Sequence, residues 1–268
     1  HGAKAWHGRS ALDAAMLQAH AVEMLREHLE PGCPPDGTSI NFTFTSTGPN
    51  APNVVPDYTT VWYVGRFVTT EEMLNGLERV TKCAQGAAIS TDTEVEREII
   101  TMTHHKIPNK TLAECVRNNM LQVGVPQFTE EEHEKAKAIQ RQMDAEETGL
   151  PTELMPFEGG YTVLCDTSEF SWNAPYVSPW IAMGAENCGW HHWGVTRCAA
   201  DTMGQKSMDC AAKVISMTAA DLLCDPEMLQ KAQDEWKERM AGRTYECLLP
   251  DEIKPPIHLN EDVMAKYR

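Results

Sequence analysis

Two histidines set between two tryptophans, Gly189-Trp190-His191-His192-Trp193, are the side chains in this sequence best suited to hold a metal ion. Imidazole is the commonest protein ligand for such ions, and an aromatic surround excludes water and fixes the ring. Neighbouring side chains on a strand or helix point apart, so one of the two at most is expected to bind. A buried, hydrogen-bonded pair is the plainer alternative, because no other His, Cys, Asp or Glu cluster has a spacing that completes a site. Upstream, Asp166 and Glu169 in Asp166-Thr-Ser-Glu169-Phe-Ser-Trp172 stand at an expected strand-to-loop junction. A carboxylate there could orient a ligand or touch substrate, although solvated loop acids are as common. Asn53 and Arg66 flank one expected strand. A guanidinium suits two-pronged recognition of a carboxylate, but each residue alone also reads as ordinary surface. His104-His105 closes a further expected strand and reads as structural.

Other chemistries find no footing. The sequence lacks G-x-S-x-G, a P-loop and G-x-G-x-x-G, which leaves serine hydrolase, nucleotide and dinucleotide sites unsupported. With 23 Lys and Arg against 39 Asp and Glu, the net charge of -16 repels nucleic acid and anionic membranes. No apolar run reaches the length of a membrane span, and the first residues lack a basic-then-apolar leader, so the cytoplasm is the expected compartment. Nine cysteines at irregular spacing, with no C-x-x-C pair, argue for small buried hydrophobes in a reducing cell. The glycosylation triplets at Asn41 and Asn109 are discounted for want of an export signal.

At 268 residues and 42% apolar content the chain is long enough for two domains. Ser10-Ala-Leu-Asp13 looks like a helix cap, and Leu17, Ala21, Met24 and Leu25 continue a helix over residues 10–29. Ile40, Phe42 and Phe44 alternate with Asn41, Thr43 and Thr45, the period of a half-buried strand. A second strand is expected over 59–67, then a helix capped by Thr70-Glu71-Glu72 and ending near Gly86, then a strand over 95–103. This α-β-β-α-β order lacks only a leading strand to be the split, ferredoxin-like unit, which implies a chain that begins inside a domain. Beyond Pro108 follow a helix capped near Asn109, a polar helix over 129–143, strands over 160–165 and 177–184, and a helix over 204–224. That last helix carries Ala, Ser, Cys and Met on several faces and should be largely buried. An exposed helix then ends near Met240, and the tail from Leu249, with Pro250, Pro255 and Pro256, should be extended.

Several segments in order carry a resemblance: residues 1–14, Ala51-Pro52-Asn53-Val54-Val55-Pro56-Asp57, Val61-Trp62-Tyr63-Val64-Gly65-Arg66, residues 107–114, Asp166 to Trp172, His191-His192-Trp193, and Lys206 through Val214. Together they resemble the metal-dependent amidohydrolases and carboxypeptidases that include acetylornithine deacetylase, carboxypeptidase G and the aminoacylases, and within them the aminobenzoyl-glutamate branch. The resemblance implies an α/β architecture with an α+β insertion. Residues 1–106 would be a ferredoxin-like lid and dimerisation domain lacking its first strand. Residues 107–268 would be the C-terminal part of an α/β metallopeptidase-like catalytic domain.

The same resemblance implies roles. His1 matches a lid histidine that reaches the partner subunit's active site and helps polarise the scissile carbonyl. Asn53 and Arg66 match positions that hold the substrate carboxylate, and His191 matches a metal ligand. Trp193 follows the branch pattern, His192 replaces the usual serine, and Asp166 and Glu169 match branch acids of unassigned role. The family uses two divalent ions, zinc or manganese, to hydrolyse amides of N-acyl amino acids such as p-aminobenzoyl-glutamate. The other ligands and the general base of that family lie outside these matched segments, so the chain alone is expected to be inactive. It is expected to form a homodimer through the lid or to join a related partner subunit. The rival reading is a non-catalytic dimerisation or partner subunit that retains the lid surface.

Overall fold

The computed structural model describes residues 2–30, 38–157, 165–189 and 191–267. Among them, those within His1–Lys106, Tyr161–Glu169 and Tyr245–Arg268 form one compact unit, and those within Ile107–Gly160 and Phe170–Thr244 form the other. His1 and Trp190 lie outside the described residues.

In the first unit, Ser10 accepts a hydrogen bond from the Asp13 N–H at 3.1 Å and starts α1 (Ala11–Leu25), which a short 3-10 turn (Arg26–His28) continues. The alternation at Ile40, Phe42 and Phe44 becomes β1 (Ser39–Ser46), paired antiparallel with β2 (Thr60–Arg66). Phe42 stands opposite Tyr63, and their rings lie 5.3 Å apart. A two-stranded ribbon needs a helical cover to be stable in water. Here that cover is α1 together with α2 (Thr70–Thr91), and the helices and the ribbon close over Val22, Ile40 and Phe67, with Met73, Val80 and Cys83 against them. Burial, then the neighbouring Cys83, pushes the Tyr63 phenol up to about 12.

α2 begins with a reciprocal capping box between Thr69 and Glu72, so its cap stands one residue earlier than expected. It also passes through Gly86 to Thr91, where Asp92 in the left-handed conformation ends it. One exposed glycine costs a helix only about 1 kcal/mol, which the buried Ala87 and Ala88 beyond it offset. Residues 95–103 do not form the expected strand. The sheet among the described residues contains β1 and β2 alone, so this run joins no ladder there, and a strand exists only where a second backbone pairs with it.

In the second unit, Asn109 caps α3 (Lys110–Val123), and a Thr129–Glu132 capping box starts α4 (Glu130–Gln142). Then come the short α5 (Ser168–Ser171), α6 (Trp193–Ala199), α7 (Thr202–Cys224) and α8 (Pro226–Met240). Ala136, Ile139, Leu150, Ala185, Cys198 and Met203 make one core, and Ile107, Trp172 and Met240 another. The strand expected over 177–184 is absent, since Pro179 removes a ladder donor. Of the strand expected over 160–165, all but Cys165 lies outside the described residues. α7 departs from expectation as well: it buries Met203, Ser207, Cys210, Val214 and Thr218 and leaves a second apolar stripe exposed. The tail holds one short turn of helix, α9 (Glu261–Met264). No helix among the described residues is long and apolar enough to cross a membrane.

Candidate functional site

His191 occupies the left-handed backbone region at φ 63° and is exposed. A non-glycine residue there pays a steric penalty that its surroundings must impose. The residue next in the chain is held firmly. His192 is the N-cap of α6, its Nδ1 accepting the Gly194 N–H at 3.1 Å, and its carbonyl oxygen accepts the Val195 N–H at 3.1 Å. Gly194 in turn is buried so closely that a Cβ there would stand 2.8 Å from Cys188 Sγ and 2.9 Å from Ile139 Cγ2. The helix start is thereby fastened to the core of the second unit, and the turn that precedes it leaves the His191 side chain exposed. Trp193, 48% exposed, tilts against His192 at 5.3 Å between ring centroids.

The imidazole of His192 performs the capping task that serine performs at many helix starts. Accepting at Nδ1 places its proton on Nε2, a tautomer assigned from the hydrogen bond.

The two candidate acids part company. Asp166 turns its Oδ1 to the next backbone N–H, that of Thr167, at 2.9 Å. Glu169 accepts the backbone N–H of His104 and faces the Nδ1 of the same residue at 3.0 and 3.1 Å. His104 is 3% exposed, and its ring lies 5.4 Å from that of Tyr245. Burial, then the charge of Glu169, which accepts the Tyr245 hydroxyl, pushes that phenol up. His105 faces the other way, its Nδ1 accepting the Thr70 N–H at 3.2 Å and lying 2.8 Å from Thr70 Oγ1. Asn53 lies in a turn, where its carbonyl oxygen accepts the Gly2 N–H at 2.7 Å. Arg66 ends β2 opposite Ser39.

Two acids that the residue pattern did not single out carry the largest electrostatic shifts. Burial opposes the charge of Glu132, but hydrogen bonds from Lys206, Thr202 and Thr129 prevail and hold it at about 2. The Lys206 Nζ stands 2.6 Å from its carboxylate. Burial likewise opposes the charge of Glu235, and the N–H groups of Thr111 and Lys110, the Thr111 hydroxyl and Arg239 bring it to about 2. Both carboxylates sit where unpaired N–H groups at a helix start attract negative charge. The capping-box spacing at Thr129–Glu132 hinted at the first; nothing local marks the second, which acts on residues more than a hundred positions earlier.

No family model matches the chain. Among curated proteins it is similar to one of the subunits of the p-aminobenzoyl-glutamate hydrolase of Escherichia coli (strain K12), 28% identical over 95% of this chain and 58% of that protein. It is also similar to the Xaa-Arg dipeptidases of Mus musculus and Homo sapiens, 26% and 23% identical over 87% and 90% of the chain. These similar proteins are named as a hydrolase subunit and two dipeptidases, and the chain spans about half of their length: 58%, 47% and 48%.

A two-ion centre, as the resemblance implies, needs several imidazole and carboxylate donors close together. Among the described residues, no group of three or more His, Cys, Asp or Glu is placed to hold a metal ion. His191 stands without such companions, and Glu169 is committed to His104 and Tyr245. The donor set among the described residues therefore does not fit a two-ion centre by itself.

Proposed function

We propose that the chain contributes a lid, residues 1–106, and a C-terminal catalytic segment, residues 107–268, to a cytoplasmic hydrolase that cleaves the amide bond of N-acyl or aroyl amino acids such as p-aminobenzoyl-glutamate. The observation that carries this reading is the similarity to the Escherichia coli p-aminobenzoyl-glutamate hydrolase along 95% of the chain. In this reading Arg66 and Asn53 hold the substrate carboxylate, a task suited to a guanidinium at the end of a strand. His1 helps to polarise the scissile carbonyl. His191 binds one of two divalent ions, zinc or manganese, whose remaining ligands come from outside this chain.

The lid would pair with a second copy or with a related subunit. The Escherichia coli relative is itself named as one subunit of a hydrolase, which favours keeping a second reading in view, with this chain as the non-catalytic partner. A chimera decides between them: the matched span of the Escherichia coli relative is replaced by this chain, and release of p-aminobenzoate is followed with zinc or manganese. Turnover by the chimera, none by this chain alone, and none by the His191→Ala chimera are expected. Full activity of the His191→Ala chimera overturns the ligand assignment. A folded chimera that hydrolyses no N-acyl amino acid favours the non-catalytic subunit.

A further inference from the structure

α7 is apolar on two sides. Its buried side, Met203 to Thr218, is the core side of an ordinary amphipathic helix. Its other side carries Met208, Ala212, Ile215, Ala219 and Leu223 at spacings of three and four, one stripe of a 3.6-residue period and about 22 Å long. All five are exposed, Met208 by 65%, Ile215 by 57% and Leu223 by 84%. The charged residues of the helix, Lys206, Asp209, Lys213 and Asp221, fall outside this stripe. A charge-free apolar strip is what the centre of a protein interface looks like, and a solvated helix face does not.

The curated relatives match nearly the whole of this chain yet are about twice as long, so in them α7 belongs to a polypeptide that has as much protein again with which to cover it.

We infer that the Met208, Ala212, Ile215, Ala219 and Leu223 face of α7 is the docking surface for the complementary half of the hydrolase, the portion of the relatives' length that this chain does not contain. This rests on the hydrolase reading above and adds where the remainder attaches. The small Ala212 and Ala219 let another backbone approach closely, while Met208, Ile215 and Leu223 supply the apolar area.

The test co-expresses this chain with the part of the Escherichia coli relative outside the matched span and measures the mass of the purified product. A 1:1 complex is expected, reduced at least tenfold in yield by Ile215→Asp and by Ala219→Asp and unchanged within twofold by Lys213→Ala on the charged flank. Circular dichroism of each variant chain alone should match the parent, since both positions are exposed in it. Failure to form a complex overturns the inference, as does a complex insensitive to both Asp variants. So does a dimer of this chain alone that Ile215→Asp dissociates, which assigns the face to a second copy. Assaying the same complex for p-aminobenzoate release separates the two readings: a complex without hydrolysis keeps the docking surface and removes the hydrolase, and hydrolysis unaffected by Ile215→Asp does the reverse.

Discussion

Glu169 and His104, 65 positions apart, are joined at both the backbone and the ring: one carboxylate oxygen accepts the His104 N–H, and both oxygens lie near Nδ1, at 3.0 and 3.1 Å. The carboxylate holds the buried imidazole with its proton on Nδ1. Glu169→Gln retains the shape and loses the charge. It should destabilise the first unit by about 1 to 3 kcal/mol, the range for a hydrogen bond to a charged group that leaves its partner buried. Urea denaturation followed by near-ultraviolet circular dichroism measures it. An unchanged midpoint would count against the pair as a structural tie.

Acid should unfold the second unit early. Glu132 and Glu235 are held at about 2, below the ordinary carboxylate value of 4.5. A lowered folded-state value means the folded form keeps these groups ionised where the unfolded chain already binds protons. Their contribution is complete above the ordinary value and is lost as the pH falls through about 2. Denaturant midpoints should fall between pH 5 and pH 2, as order-of-magnitude bounds of that window. Glu132→Gln should cost on the order of 2 kcal/mol at pH 7 and flatten that slope. A parent and a variant with parallel pH profiles would refute the assignment.

Stability and function should oppose each other at His191. Its left-handed φ of 63° suits glycine, so His191→Gly should raise stability by about 1 kcal/mol while His191→Ala leaves the strain in place. His192→Ala, which loses the cap on α6, should lower stability by about 1 kcal/mol, and His192→Ser should restore most of it. Thermal unfolding of the four variants orders them. If the Gly and Ala variants at 191 melt together, the backbone there carries no strain.

In a hydrolysing assembly, Arg66→Ala should raise KM for a carboxylate-bearing substrate about 10- to 100-fold with a smaller change in kcat, as expected when a charge-assisted bond of about 1.5 to 3 kcal/mol is removed. Steady-state kinetics on the substrate and on its carboxamide check it. Equal KM values for the two with the parent chain would exclude a carboxylate contact at Arg66.

Local patterns were readable wherever the structure depends on near neighbours. The caps at Ser10, Asn109 and Thr129 and the β1 alternation need only a few residues of context, and each appears where its side chains specify it. Residues 95–103 and 177–184 have strand-like composition, but a strand is a property of two backbones, and no ladder among the described residues reaches either one. At the candidate site, a pair of adjacent histidines announced itself by type. What each does depended on a backbone angle at His191 and a hydrogen bond at His192, neither of which follows from residue type. The joining of His104 to Glu169 and Tyr245 is a long-range event with no local mark.

The grip of Glu235 on the start of α3 also sets an order in time. The Lys110 and Thr111 N–H groups are satisfied by a carboxylate made 125 and 124 residues later, and the Asn109 side chain donates to the Ala232 carbonyl at 2.8 Å. On a ribosome adding on the order of ten residues per second, α3 emerges roughly ten seconds before α8 and must wait with its first turn hydrated. Closing so long a loop comes late and is slow, so the second unit should acquire protection from proteases only after residue 235 has left the exit tunnel.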